Sequence, residues 1–302
     1  MAQKILLTGS NGLLGQKLVE LIVEKGEFEL IATGRGENRL SKYQDKYTYH
    51  SLDIADKNAV FLAFDTFKPS VVIHCAAMTN VDQCELNKED CWLQNVVATR
   101  NMAEASLKYG VFLIHLSTDF IFDGQKGPLT EDEKPAPISF YGYSKLVAEE
   151  IIQKMDGLKW SIARTVLVYG IAEDMSRTNI ILWVKKSLQD KKQIKVVNDQ
   201  WRTPTLAEDL AMGCYLIAQK RAEGIFNISG NEFLNPLEMA YKTAHYFKLD
   251  ISFITQADSS TFTQSAKRPP KTGFIIDKAI NELGYKPHTF DEGIALLASQ
   301  MK

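Results

Sequence analysis

The stretch Lys4-Ile-Leu-Leu-Thr-Gly9-Ser-Asn-Gly12-Leu-Leu-Gly15 decides the fold. Residues 4–8 read as a short buried strand, and residues 13–24 carry apolar side chains at helical spacing. Between them stand three glycines in the pattern G-x-x-G-x-x-G. A helix N-terminus offers unpaired N–H groups and the positive end of a dipole. Glycines allow a tight turn and a close approach to a pyrophosphate, and the third lets the helix pack against the sheet. Gly9, Asn11, Gly12, Leu13, Leu14 and Gly15 are therefore candidate dinucleotide-binding residues. The spacing is one residue longer than the common fingerprint, and three glycines alone are a weak signal. Their place at the first strand–helix junction strengthens it.

Outward from that junction the same rhythm repeats. Strands are expected over residues 29–33, 47–52, 70–75, 111–116 and 159–164, and helices over 58–67, 89–109 and 141–155. Strands separated by helices of this length give βαβ units, hence an α/β, doubly wound parallel-sheet Rossmann domain. After about Gly170 the rhythm loosens. Helices are expected over 176–188, 206–218 and 236–247, short strands over 194–197 and 225–228, and a polar surface loop over 258–270 with its double proline. Residues 1–169 are expected to form the dinucleotide-binding domain, and 170–302 a smaller C-terminal substrate-binding lobe with some segments returning to the sheet.

Composition sets the outer bounds. The 302 residues are 45% hydrophobic and 24% charged, enough for a sizeable core, and the formal net charge is −2. Nothing in that balance calls for nucleic acid or an anionic membrane as partner. The lysines at 185, 186, 191 and 192 read as a solvated helix end. No apolar run approaches the roughly 18 residues of a membrane span, and a cytoplasmic protein is expected. Cys75, Cys84, Cys91 and Cys214 form no Cys-x-x-Cys pair and no zinc spacing, so no metal is expected and reduced thiols are the simplest reading.

The second strand ends in Thr33-Gly34-Arg35-Gly36. Sites selective for NAD usually carry an acid here for the ribose 2′-hydroxyl, whereas a guanidinium can pair with a 2′-phosphate. NADPH is the expected cofactor. NADH is also admitted, because a flexible arginine can lie over the adenine. Asp53, with Ile54 beside it, follows the third strand and is a candidate for the adenine amine or a turn residue. Cys75-Ala76-Ala77 follows the next strand, where small side chains let a cofactor lie against the backbone.

Of the eleven tyrosines, only Tyr141 has a lysine four residues on, at Lys145. On a helix these share a face. A nearby ammonium favours the phenolate and makes tyrosine a better acid–base catalyst, and it can also hold ribose hydroxyls. In isolation Y-x-x-x-K can be coincidence. Leu116-Ser117-Thr118-Asp119 argues otherwise: it closes a strand at the sheet edge where open α/β folds bind ligands. A hydroxyl there can polarise a carbonyl beside the tyrosine.

These residues together resemble the extended short-chain dehydrogenase/reductase family, and within it the dTDP-4-dehydrorhamnose reductases. The similar segments span most of the chain: residues 7–15, His74-Cys-Ala-Ala-Met-Thr-Asn-Val-Asp82, Asn95-Val-Val-Ala-Thr-Arg-Asn101, Leu116-Ser-Thr-Asp-Phe-Ile-Phe-Asp-Gly124, Tyr141-Gly-Tyr-Ser-Lys145, Arg164-Thr-Val-Leu-Val-Tyr-Gly170 and Asp199-Gln-Trp-Arg-Thr-Pro-Thr205. The resemblance implies hydride transfer to the C4 keto carbon of a nucleotide-linked deoxysugar. Thr118, Tyr141 and Lys145 would be catalytic. Asn95 and Ser117 would support the cofactor, and Thr79, Val81, Asp119, Leu167 and Arg202 the sugar.

Three positions depart from the pattern that the resemblance implies: Leu167 where a tryptophan is usual, Arg202 in a Gly-Ser-Pro-Thr-like run, and Cys75 where asparagine often precedes the alanine pair. They leave the cofactor chemistry intact and bear on the sugar. A nucleotide-sugar substrate is expected as partner, and a homodimer is admitted. Two other readings remain: a reductase or epimerase of another nucleotide sugar, and a non-catalytic NADP-binding subunit, since the regulatory β subunit of methionine adenosyltransferase resembles the same reductases.

Overall fold

The computed structural model describes residues 3–174, 178–262 and 264–301. In chain order its strands are β1 (Gln3–Thr8), β2 (Phe28–Gly34), β3 (Thr48–Ser51), β4 (Val71–His74), β5 (Phe112–Thr118), β6 (Trp160–Thr165), β7 (Val168–Tyr169), β8 (Ile194–Val197), β9 (Thr205–Leu206), β10 (Gly224–Asn227) and β11 (Ile254–Ala257). Its helices are α1 (Leu13–Lys25), α2 (Lys57–Phe67), α3 (Val81–Leu86), α4 (Lys88–Trp92), α5 (Ala98–Tyr109), α6 (Phe140–Gln153), α7 (Ile180–Gln189), α8 (Ala207–Lys220), α9 (Pro236–Tyr246) and α10 (Phe290–Gln300).

Seven strands form one sheet in the order β10-β6-β5-β4-β1-β2-β3. Every pairing in it is parallel. The order reverses between β1 and β4, the switch point at which a doubly wound sheet opens a crevice outside its carboxyl edge. Alternation along each strand feeds two cores. Ile5 and Leu7 of β1 pack with Leu18 and Ile22 of α1 and Leu210 and Ile217 of α8. Leu6, between them, faces Val60 and Phe64 of α2 and Met102 of α5. That is the two-residue period of a strand buried on both faces.

β10 comes from the later part of the chain and returns to the edge of this sheet beside β6. The remaining elements build two smaller clusters. Val184, Leu188, Ile194 and Ala240 pack α7, β8 and α9 together, and Tyr169, Met239, Phe290 and Ile294 join β7, α9 and α10.

The expected elements lie close to where the periodicity puts them, and α3, β7, β9 and β11 are additions to them. The long helix expected over 89–109 is interrupted by a π-helical turn, Leu93–Val97, between α4 and α5. α10 is absent from the sequence reading, although Thr289 and Glu292 close a capping box at its start. α7 begins at Ile180, and the earlier start expected at residue 176 lies outside the described residues.

Candidate active site

The glycine turn does what its spacing requires. A Cβ on Gly15 would meet the Gly9 carbonyl oxygen at 2.1 Å, so only glycine lets α1 sit this close to the end of β1. Gly12 is the N-cap of α1, is exposed, and has no side chain to cap the first turn. The N–H groups of that turn are thus available to an anion at the switch point. Asn11 adds a clamp that the sequence did not reveal. Its Nδ2 donates to the Glu37 carbonyl (2.9 Å) and the Tyr49 hydroxyl (3.1 Å), and its Oδ1 accepts from the Arg39 N–H (3.0 Å). The glycine turn is thereby tied to the loop after β2.

That loop carries Arg35, exposed, on the wall of a hollow of about 480 Å³ lined also by Gly36, Glu37, Asn38, Arg39 and Asp174. Arg39 leans on Asp174 (3.7 Å), whereas no ion pair engages Arg35 among the described residues. Across the crevice, Asp53 Oδ1 accepts from the Ala55 N–H (3.0 Å), which is the turn role foreseen for it. Asn101 holds the Ile54 and Ala55 carbonyls, both at 3.1 Å. Ala76 donates its N–H to Thr8 Oγ1 (3.2 Å), which brings Cys75, Ala76 and Ala77 alongside the glycine turn. The free donors of α1, the small residues after β4 and the arginine beyond β2 fit a dinucleotide.

At the carboxyl end of β5 stand Ser117, Thr118 and Asp119, all buried. Tyr141 reaches them because Ser139 caps α6, accepting from the Gly142 N–H (3.2 Å), and because residue 142 has no side chain. A Cβ there would strike the Phe120 carbonyl oxygen at 2.0 Å. The Tyr141 ring lies edge-on to Phe120, 5.7 Å between centroids. Burial raises the phenol above its ordinary value, and a hydrogen bond with Thr118 opposes the rise. Lys145, one turn on, is 3% exposed. Its ammonium donates to the Leu116 carbonyl (2.6 Å) and to His115 Nε2 (3.0 Å), and burial lowers its pKa to about 8.

The expectation that Lys145 depresses the Tyr141 pKa is therefore corrected in this geometry. The ammonium is engaged by β5, and desolvation dominates the phenol. A phenol held protonated is a proton donor, the role a reduction needs.

Asn95 sits in the π-helical turn, a device common at functional sites. Its Oδ1 accepts from the Met78 N–H (2.8 Å), while its Nδ2 donates to the Met78 carbonyl (3.1 Å) and Ser144 Oγ (3.0 Å). It binds the segment after β4 to α6 and so supports the site from behind. Ser117 Oγ is buried with no hydrogen-bond partner among the described residues.

The residues expected on the sugar side differ in how open they are. Arg202 is 5% exposed, and its guanidinium donates to the carbonyls of Trp201 (2.7 Å), Pro270 (3.1 Å) and Pro269 (2.6 Å) while pairing with Asp119 (3.5 Å). Asp119 also accepts from Thr118 Oγ1 (3.1 Å) and from the Thr272 hydroxyl. These two residues hold each other and the 269–272 segment, so both side chains are engaged within the fold in this structure. A second fastening joins Arg268 to Asp82 at 2.6 Å. Thr79 is exposed, Val81 packs beside Tyr141, and Leu167 is 44% exposed with φ at +36°, a conformation rare for its type that marks a constrained turn after β6.

Among the described residues no group of three or more His, Cys, Asp or Glu could hold a metal ion, and no helix is long and apolar enough to cross a membrane.

The fold and this constellation define a Rossmann-type protein of the extended short-chain dehydrogenase/reductase kind. More narrowly, the RmlD substrate binding domain family matches residues 3–302, and the chain belongs to that family. It is 27% identical to dTDP-4-dehydrorhamnose reductase of Aggregatibacter actinomycetemcomitans over 96% of this chain and 97% of that one. It is 32% identical to methionine adenosyltransferase 2 subunit beta of Xenopus laevis over 84% of this chain and 75% of that one. Its structure superposes on dTDP-4-dehydrorhamnose reductase of Bacillus anthracis, solved in complex with NADP, with a TM-score of 0.84 at 25% identity, covering both chains completely.

Proposed function

We propose that the protein is an NADPH-dependent reductase of a 4-keto nucleotide sugar, with dTDP-4-dehydrorhamnose as substrate and dTDP-rhamnose as product. The observation that carries the reading is the convergence of Thr118, Tyr141 and Lys145 at the carboxyl end of β5, two strands from β1 and its glycine turn in the same parallel sheet. Residues 1–169 hold the dinucleotide in this reading, and residues 170–302 contribute most of the sugar side. Gly9, Gly12 and the first turn of α1 receive the pyrophosphate, and Arg35 meets the 2′-phosphate. The bound nicotinamide would supply hydride to the carbonyl carbon.

The chain's own groups manage the oxygen. Tyr141 remains protonated through the physiological range and gives its proton to the developing alkoxide. Thr118 donates to Asp119 in this structure, so a keto oxygen must draw that hydroxyl hydrogen away to be polarised by it. Lys145 is an ammonium below about pH 8 and holds ribose hydroxyls. Leu167, with Thr79 and Val81, faces the sugar in this reading. A leucine in place of the usual ring gives a wider, less stacked pocket.

The test is NADPH consumption with dTDP-4-dehydrorhamnose, with the product identified. Formation of dTDP-rhamnose supports the reading. Consumption only with another 4-keto nucleotide sugar would reassign the substrate.

The similarity to methionine adenosyltransferase 2 subunit beta, at 32% identity, favours a second reading: an NADP-binding regulatory subunit without turnover. NADPH binding with no consumption across a panel of 4-keto sugars would select it.

A further inference from the structure

β4 and β5 are register neighbours, and they set His74 and His115 side by side, ring centroids 5.3 Å apart, on the face covered by α5 and α6. Both rings are buried at 1% exposure. Sequence reading gave neither a role. His74 is accounted for. The Thr99 hydroxyl donates to the Asn95 carbonyl (2.7 Å), so it accepts from His74 Nε2 (3.3 Å), and His74 Nδ1 accepts from the Thr8 hydroxyl (2.8 Å). A neutral imidazole therefore links the glycine turn to the π-helical turn.

His115 is different. Its Nε2 stands 3.0 Å from Lys145 Nζ. An ammonium has three donors and no acceptor, so Nε2 accepts and Nδ1 carries the ring proton. Among the described residues that Nδ1 has no partner. A buried unpaired N–H is a cost that an apolar residue would avoid. Its retention is explained if the other ring nitrogen is needed.

We propose that His115 is a positioning residue for Lys145: with the Leu116 carbonyl it takes two of the three ammonium N–H groups, and so aims the remaining one at a bound cofactor's hydroxyl and keeps the amine charged. The inference rests on the reading above that Lys145 holds the nicotinamide ribose.

The ammonium needs such help. Facing it are His115 from β5, His74 from β4, Cys75 from the segment after β4, Cys91 from α4 and Glu149 from its own helix. Glu149, the principal charge opposing the effect of burial, is itself bound to Arg164 of β6 at 2.7 Å. Burial lowers Lys145 to about 8. A neutral acceptor bonded to the charged form resists that fall, and its removal lets the pKa drop further.

The experiment is NADPH titration of the whole protein, read by nicotinamide fluorescence from pH 6 to 10, for the parent, His115→Leu and His115→Gln. Glutamine presents its amide oxygen about where Nε2 lies, and leucine presents nothing. The parent should lose affinity as pH rises through the Lys145 midpoint. His115→Leu should move that midpoint down by about one pH unit and bind roughly 3-fold more weakly midway between the two midpoints, rising toward about 10-fold above the parent's. His115→Gln should restore the parent curve. Should His115→Leu not fold, His115→Asn takes its place, since its shorter amide cannot reach Nζ.

A merely structural histidine would lower the melting temperature of all variants and shift no midpoint. An unshifted midpoint in folded His115→Leu or His115→Asn overturns the inference, and so does a His115→Gln protein that fails to recover. NADPH binding without turnover would contradict the reductase reading alone. Parent-like turnover with an unshifted midpoint would contradict this inference alone.

Discussion

A Cβ on Gly15 would meet the Gly9 carbonyl oxygen at 2.1 Å, whereas one on Gly12 would stand 3.4 Å from the same atom. Gly12 also has φ −86° and ψ 171°, an extended conformation open to any residue. The two glycines therefore have separable duties. Gly12→Val should fold with a melting temperature near that of the parent and fail to bind NADPH, because the branched side chain occupies the pyrophosphate's approach. Calorimetric titration checks this, and an unchanged NADPH isotherm would remove the phosphate site from this turn. Arg35 can be tested at the same scale. Arg35→Asp deletes a charge-assisted bond and adds repulsion, so NADPH should weaken by about 10-fold or more and NADH much less. Equal losses for the two cofactors would mean that Arg35 does not read the 2′-phosphate. These duties are partly legible from residue type alone. The glycine spacing and Tyr141/Lys145 announce themselves. The side-chain roles of Asn11, His74 and His115 do not, because their partners lie from 25 to 66 positions away and only the fold brings them together.

Elements show where sequence periodicity stops being informative. The central strands and helices fall where a two-residue or 3.6-residue apolar period puts them, since burial on both faces writes that period into the chain. The π-helical turn at Leu93–Val97 leaves no such mark: its apolar residues fit a regular helix as well. The 258–270 segment reads as polar and proline-rich, hence as loop, yet residues 268–272 are fastened by Arg202 to the Pro269 and Pro270 carbonyls, by Thr272–Asp119 and by Arg268–Asp82. The family resemblance suggested sugar contacts for Asp119 and Arg202, and it gives no hint that the two also pair with each other. Asp119 is fully buried and its carboxyl is raised by that burial, with Arg202 as the principal opposing influence. Arg202→Met should leave that carboxylate without its partner and destabilise the fold by about 3–5 kcal/mol, measured by urea denaturation. Proteolysis within 258–270 should quicken in the same variant. A change below about 1 kcal/mol would show that the pair is not what secures the segment.

The whole molecule combines a sheet whose switch point was predictable from its first fifteen residues with a second set of elements whose packing was not. β10 returns from the later half to flank β6, and α10 packs on α9 and Tyr169 of β7. Such long-range pairings depend on contacts that no local pattern encodes. Leu167, at the hinge between the two sets, carries both the strained φ and the departure from the usual ring. The sugar preference is therefore the part of the function least fixed by the fold. The chemistry of the proposed reading is more constrained, because it rests on one hydroxyl. Tyr141→Phe removes that hydroxyl and keeps the ring that packs on Phe120. The direct measurement is the single-enzyme rate of NADPH oxidation with dTDP-4-dehydrorhamnose, parent against Tyr141→Phe, beside an NADPH titration of each. The account predicts a fall in kcat of roughly 10²–10⁴-fold with NADPH affinity nearly unchanged. A Tyr141→Phe protein that reduces the sugar at the parent rate would contradict it.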